Sequence, residues 1–87
     1  KDKTKDDFLI HFEETNHGFL SSLREKHQNL NVNDIRFLSY LYMNLSIKEI
    51  SSLLNITPDA CRKRKERIAK KMGLQETAEL FPYLSHI

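Results

Sequence analysis

The hydrophobic positions of residues 45–73 follow the three- and four-residue spacing of two short amphipathic helices joined by a tight turn. In the first segment, Ile50, Leu53 and Leu54 share one helical face, which predicts a helix that packs this face against a core. Asn55 follows, a residue that tolerates the left-handed conformation in which many helices end. The first helix is therefore predicted to stop there.

Capping residues indicate where both helices begin. Ser46 with Glu49 three residues later is a capping box, which predicts a helix from about Ile47. Thr57 is the expected N-cap of the second helix, with Pro58 at the first helical position, where a missing N–H costs nothing. The first helix is predicted to stop at Asn55 and the second to start at Pro58, so only a turn lies between them.

The second helix, predicted over residues 58–72 with Gly73 as its stop, carries half of the chain's Lys and Arg residues. Residues 62–87 contain seven Lys/Arg and three Asp/Glu, and all seven basic residues lie within 62–71. At about 100° per residue, the apolar residues of this helix fall on one side and most charged ones on the other. The apolar set is Cys61, Ile68 and Met72, and the opposite set is Lys63, Glu66, Arg67 and Lys70, flanked by Arg62.

A cationic outer face on a helix held by a shorter apolar helix suits insertion into the major groove of DNA. Basic runs on helices are more often simply solvated surfaces. Here the run follows a capped turn on the second of two short helices, and this position favours a nucleic-acid-binding helix-turn-helix.

Residues 30–74 resemble the C-terminal DNA-binding domain of LuxR-type (NarL/FixJ-like) regulators. The family pattern is roughly L-T-x-x-E, G-x-S-x-K-E-I-A, L-x-I-S-x-x-T-V and a basic helix ending K-K-L-G. The corresponding segments here are LNVND (30–34), NLSIKEIS (44–51), LNITPDAC (54–61) and KKMGL (70–74). The match needs no gap and covers about half of the chain.

Four departures from the family pattern bear on the structure. Asn44 replaces Gly, which is tolerable because Asn also adopts positive φ. Asp34 replaces Glu and Cys61 replaces Val, both conservative changes. Lys65 falls on the side that should face the core, so we expect its stem to pack while its ammonium reaches the edge.

The resemblance implies an all-α helical bundle of the winged-helix-like superfamily that binds double-stranded DNA in a sequence-specific way. It further implies that the chain is the output domain of a bacterial transcription regulator in signal transduction. Besides DNA, two partners are expected: a second protomer bound to the same DNA, and RNA polymerase. The segment FEETNHGFLSSL is similar to regulators of Bacteroidetes-like bacteria with repeat or membrane-sensor regions upstream. The chain begins at Lys1 rather than Met, which fits a piece of a longer protein.

Two groups of residues are expected to contact DNA. Contacts with the edges of DNA bases are expected from the outer face of the second helix, near its N-terminal half. Arg62 and Lys63 match base-contacting positions of the family there. The base-contacting set is Asp59, Arg62, Lys63 and Glu66. Glu66 has two alternatives, acceptance from a cytosine amino group or pairing with Arg62 and Lys70. The phosphate-contacting set is Lys48, Thr57, Arg64, Arg67, Lys70 and Lys71.

Residues 1–29 are predicted as an N-terminal helical extension or linker, and residues 30–87 as the DNA-binding domain. A first helix is expected from Asp6 or Asp7, broken at residues 15–18, with Asn16 capping a second helix. One long helix that includes Gly18 is the alternative, at a cost of about 1 kcal/mol.

The remaining segments predict a central helix and a short final one. Asn31 and Asp34 form a capping pair before residues 35–42, which are apolar on most sides and are therefore expected to lie between other helices. Residues 76–79 are either loop or one helical turn. Pro82 is expected in the first turn of a last helix. Residues of that helix expected to pack on the core or on a second protomer are Leu80, Phe81, Leu84 and Ile87.

Composition argues for a non-enzymatic globular domain without cofactors. The chain is 39% hydrophobic and 30% charged, with a net charge of +2. Four scattered histidines lack metal-ligand spacing, His17 and His27 are expected on the surface, and two glycines make no phosphate loop. Cys61 is expected to be a small buried hydrophobe rather than a nucleophile. A lone cysteine and the absence of a long apolar run predict a cytoplasmic chain without a membrane segment.

Two other functions stay open. Region 4 of a sigma factor has a similar helix-turn-helix with a basic second helix and would add RNA polymerase as a partner, and Lys48-Glu49-Ile50 suits both families. A helical protein-interaction or dimerisation module would instead dock the basic helix on an acidic partner. Binding to random duplex at low salt, with competition by duplex but not by polyglutamate, would favour DNA binding over the protein-interaction module.

Overall fold

Helices make up most of the computed structural model, which describes residues 11, 12, 14, 16 and 18–86. Residues 11, 12 and 14 are helical, and no strand occurs in this part of the chain. The elements that follow are α1 (Phe19–Lys26), α2 (Val32–Tyr42), α3 (Ile47–Leu54), α4 (Pro58–Lys71), a 3-10 turn (Thr77–Glu79) and α5 (Leu80–Ser85). The predicted all-α fold is confirmed.

Side-chain caps start α2 and α3 where the sequence predicted. The Asn31 side chain accepts from the Asp34 N–H at 2.8 Å, and the Asp34 carboxylate accepts from the Asn31 N–H at 3.2 Å. Ser46 and Glu49 form the same reciprocal pair at 2.8 and 3.1 Å. Each pair satisfies backbone donors that a helix start leaves free, which fixes both helix starts.

The N-terminal region divides into two helical segments at Gly18, whose φ of 84° lies in the left-handed region. Helix α1 begins at Phe19 with Gly18 as its N-cap and without a side-chain cap. The prediction that Asn16 caps this helix is wrong, because its side-chain amide donates instead to the Phe12 carbonyl at 3.1 Å. The start predicted at Asp6 or Asp7 lies outside the described residues.

Helix α2 lies at the centre of the core, as its apolar sequence predicted. Phe37 and Leu38 are fully buried in one cluster that includes residues from every other α-helix. On one side, Tyr42 stacks on Phe19 with ring centroids 4.2 Å apart and meets the edge of Phe12 at 6.0 Å. The N-terminal residues therefore pack on the same core as the helix-turn-helix.

Helices α3 and α4 are joined by the expected turn. Asn55 ends α3 at φ 60°, and Gly73 follows α4 at φ 83°, both in the left-handed conformation. Asn44 also has a positive φ of 66°, in the left-handed region that Asn tolerates. The inward face of α3 differs from the prediction, since Ile50 is fully buried but Leu53 is 58% exposed.

The C-terminal segment folds back onto the bundle. Helix α5 packs against α2 and has Pro82 as its third residue, within the first turn as predicted. Leu80 and Leu84 are buried, whereas Phe81 is 38% exposed. The packing predicted for Ile87 falls outside the described residues.

Candidate nucleic-acid interface

Helix α4 is fixed by its N-cap and by one buried face. The Thr57 hydroxyl oxygen accepts from the Ala60 N–H at 3.1 Å, and Pro58 occupies the first helical position. The buried residues of α4 and its C-cap are Cys61, Ile68, Ala69 and Met72, all at most 7% exposed. Since this apolar face lies against the core, the charged face is directed outward.

The four residues predicted to contact bases all lie on exposed positions of α4, namely Asp59, Arg62, Lys63 and Glu66. The side chains of Asp59 and Arg62 are 88% and 62% exposed, and Asp59 Oδ1 lies 2.9 Å from Arg62 Nη1. Arg62 therefore pairs with Asp59, one turn earlier, rather than with Glu66. Asp59, Arg62 and Lys63 lie in the N-terminal half of the exposed face, and Glu66 lies just past its middle.

The residues predicted to contact phosphates occupy three different environments. Lys48, Thr57, Arg67 and Lys70 are exposed. Arg64 is half-buried. The ammonium of Lys71 lies 2.5 Å from Asp34 Oδ2, and the Lys71 carbonyl accepts from the Asn29 side chain at 3.0 Å. Lys71 thus joins the end of α4 to the start of α2.

A groove of about 450 Å³ separates the start of α2 from the C-terminal half of α4. Its polar lining consists of Asn31, Asn33 and Asp34 on the α2 side and Arg64, Arg67 and Lys71 on the α4 side. Asp34 is the one carboxylate in this lining and is already paired with Lys71. The two arginines leave the groove with a net positive charge.

Lys65 lies on the other flank of α4, beside a smaller cavity of about 250 Å³. Ile47 and Thr77 line this cavity together with Arg62 and Glu66. Lys65 is half-buried, on the side of α4 that the sequence predicted to face the core.

His27 takes part in a contact that the sequence did not predict. Its Nε2 lies 2.7 Å from the hydroxyl of Tyr83, and the two rings meet edge to face at 5.6 Å. Burial, with a smaller contribution from the charge of Lys26, lowers the pKa of His27 below its ordinary value. His27 lies at the surface, but it is half-buried where the end of α1 meets α5. His17 lies outside the described residues.

Cys61 is fully buried, as expected for a small apolar residue. Burial raises the pKa of its thiol, and the nearby charges of Arg64, Lys65 and Arg62 only partly oppose this effect. A protonated, enclosed thiol is a poor nucleophile. No group of three His, Cys, Asp or Glu within the described residues is placed to hold a metal ion. Nor is any helix in that part long and apolar enough to cross a membrane.

No protein-family model, curated protein or solved structure matches this chain. The outer face of α4 combines a rigid helix, fixed by caps and by a buried apolar side, with exposed cations along its length.

Proposed function

We propose that the chain binds double-stranded DNA through the exposed face of α4, as the output domain of a transcription regulator in the bacterial cytoplasm. One observation carries the proposal. Cys61 and Ile68 are buried on one side of α4, while Lys63, Arg67 and Lys70 are exposed on the other. A helix held in this way presents cations at a fixed angle, as a helix in the major groove requires.

Base contacts are assigned to the N-terminal half of this face. Arg62 suits bidentate bonds to guanine O6 and N7, and Lys63 suits the same acceptors through a single charge. Glu66 is unpaired with Arg62 in the structure, which leaves its carboxylate for a cytosine amino group. Sequence discrimination is therefore expected to depend mainly on these three side chains.

Phosphate contacts are assigned to exposed cations around that face. Arg67 and Lys70 continue along α4, and Lys48 lies at the start of α3. The Thr57 oxygen already accepts a backbone bond, so its hydroxyl proton is available to a phosphate beside the α4 N-terminus. These contacts position the helix without reading sequence.

A second candidate function is contact with another protein, either a second protomer or RNA polymerase. The observation that favours it is Leu53, 58% exposed beside a depression lined by Leu45, Glu49 and Ser52. Exposed apolar side chains that line a depression are typical of interaction surfaces. In this alternative α3 would be the contact helix, and α4 would not need to bind duplex.

A gel shift with random duplex at low salt tests the proposal. Competition by unlabelled duplex but not by polyglutamate is expected if α4 recognises DNA rather than any polyanion. Lys70→Glu should strongly weaken the shift, whereas Lys26→Glu, the same change at an exposed position on α1, should weaken it little. Equal loss in both variants, or competition by polyglutamate, would contradict the proposal.

A further inference from the structure

The groove between α2 and α4 contains two guanidinium groups with no acidic partner in the described part of the chain. Arg64 and Arg67 lie three residues apart on α4, so both face the start of α2 across a space of about 450 Å³. Arg64 is half-buried and Arg67 is exposed. The groove is therefore open to solvent along the same edge that borders the outer face of α4.

The other charges of the groove are already neutralised. Asp34 pairs with Lys71 and also accepts from the Asn31 N–H. Like charges three residues apart on a helix repel, and partial burial of Arg64 adds to that cost. An anion between Arg64 and Arg67 would relieve both effects, and Asn33 places an amide side chain on the opposite wall.

The geometry points to a phosphate subsite in this groove, where one phosphodiester of a DNA strand lies between Arg64, Arg67 and the Asn33 amide. This inference builds on the proposed function. When a helix lies in a major groove, its flanks face the two phosphate backbones that border the groove, so this flank of α4 meets one strand. Planar guanidinium groups match the oxygens of a phosphate in a bidentate way.

A phosphate subsite in this groove gives α2 a direct role in DNA binding. A strand seated in the groove touches the start of α2 as well as α4, so the duplex is held from two elements. Arg64 and Lys71 then have different roles, because the charge of Lys71 is already paired with Asp34. The subsite thus contains two available cations, not three.

Asn33→Asp is the most selective test, because it places a negative charge in the groove without harming the helix start. Asn33 is the second residue of α2, where an acidic side chain interacts favourably with the helix dipole. Gln28→Glu is the matched control, since it adds the same charge at an exposed residue outside this groove. Thermal unfolding should show both variants folded.

Binding of a random duplex, measured by fluorescence anisotropy, should weaken about tenfold for Asn33→Asp and about twofold or less for Gln28→Glu. Arg64→Gln should also make the slope of log affinity against log salt less steep by about one, because one phosphate contact is lost. Equal weakening by Asn33→Asp and Gln28→Glu, with wild type still binding, would overturn the subsite and leave the proposed function standing.

A titration with inorganic phosphate, followed by NMR, separates the subsite from DNA binding as such. The Asn33 side-chain amide and the Arg64 Nε–H resonances should shift in the wild type, and Asn33→Asp should suppress the shift of Arg64. Such shifts in a chain that fails to bind duplex would overturn both the proposed function and the assignment of this groove to a DNA strand. The groove would then be a site for a different phosphate.

Discussion

The guanidinium of Arg62 is bonded to the carboxylate of Asp59, one helical turn earlier, at 2.9 Å between Nη1 and Oδ1. Both side chains are more than half exposed, so the pair contributes little to the free energy of unfolding. An arginine has five N–H donors, and a bond to Asp59 leaves others for a base. We therefore expect Asp59 to orient Arg62 rather than to contact a base itself.

Asp59→Ala should have opposite effects on specific and random DNA. Loss of a negative charge near the phosphates should strengthen binding to random duplex, while a freely rotating Arg62 should lose discrimination at its base pair. Arg62→Ala alone should cost about 1–3 kcal/mol on the specific site. The double variant should lose no more discrimination than Arg62→Ala, as measured by selection on a randomised duplex followed by titration.

Additive effects of Asp59→Ala and Arg62→Ala on discrimination, at two different base pairs, would contradict this role. That outcome would instead support the direct base contact that the sequence predicted for Asp59. Asp59→Asn keeps the shape of the side chain without its charge. Comparison of Asp59→Asn with Asp59→Ala therefore shows whether the effect of Asp59 depends on its charge or on its packing.

Lys70 and Lys71 are neighbours with different environments, and they provide a matched pair of variants. Lys71→Met breaks the ion pair with Asp34 and should lower the free energy of unfolding by about 1 kcal/mol in urea. Lys70→Met removes an exposed charge and should change stability by less than about 0.5 kcal/mol.

The salt dependence of duplex binding should show the reverse order. Lys70→Met should make the slope of log affinity against log salt less steep by about one, and Lys71→Met should leave the slope nearly unchanged. Lys71→Met should still weaken binding, because it leaves the Asp34 carboxylate unpaired in the groove between α2 and α4. If Lys71→Met reduced the slope as much as Lys70→Met, Lys71 would be a phosphate contact, as its sequence position suggested.

His27 should make stability depend on pH. Since burial lowers the pKa of His27 in the folded chain, the unfolded chain takes up the proton first. The free energy of unfolding should therefore fall as pH drops from about 6.5 toward the lower folded pKa. His27→Gln should remove this part of the pH dependence, as measured by urea unfolding between pH 7.5 and 5.

Tyr83→Phe distinguishes the hydrogen bond of His27 from its burial. The variant should lose about 0.5–1.5 kcal/mol at pH 7.5, because the His27 ring loses its hydroxyl partner. It should retain the wild-type fall in stability at low pH, because burial is the larger cause of the pKa shift. An unchanged pH profile in His27→Gln would show that another group is responsible.

Local chemistry explains why the helix starts of α2, α3 and α4 were predictable from sequence. Each start depends on a side chain that bonds to a backbone group three residues away, as Asn31, Ser46 and Thr57 do. The buried face of α4 was predictable for the same reason, since helical periodicity places Cys61 and Ile68 on one side.

Contacts between distant segments were not predictable in this way. The Asp34–Lys71 pair spans 37 positions and the His27–Tyr83 bond spans 56, so neither has a local signal. Leu53 was misplaced because Ser51 takes the inward position on α3 that the sequence pattern gave to Leu53.

The inward line of α3 runs through four residues at three- and four-residue steps, Ile47, Ile50, Ser51 and Leu54. Ser51 belongs to this line although it is polar, and its hydroxyl is satisfied by the Lys48 carbonyl at 2.8 Å. A hydrophobic pattern alone favours Leu53 over such a serine. Only the packing of α3 against α2 and α4 decides which of the two faces inward.

The salt dependence of duplex binding tests the central claim most directly. If the exposed cations of α4 and α3 displace counterions from about four to six phosphates, log affinity should fall with log salt with a slope of about −4 to −5. Fluorescence anisotropy with a labelled duplex across a series of salt concentrations measures this slope. A slope near zero, or no binding at low salt, would contradict the assignment of the α4 face to DNA.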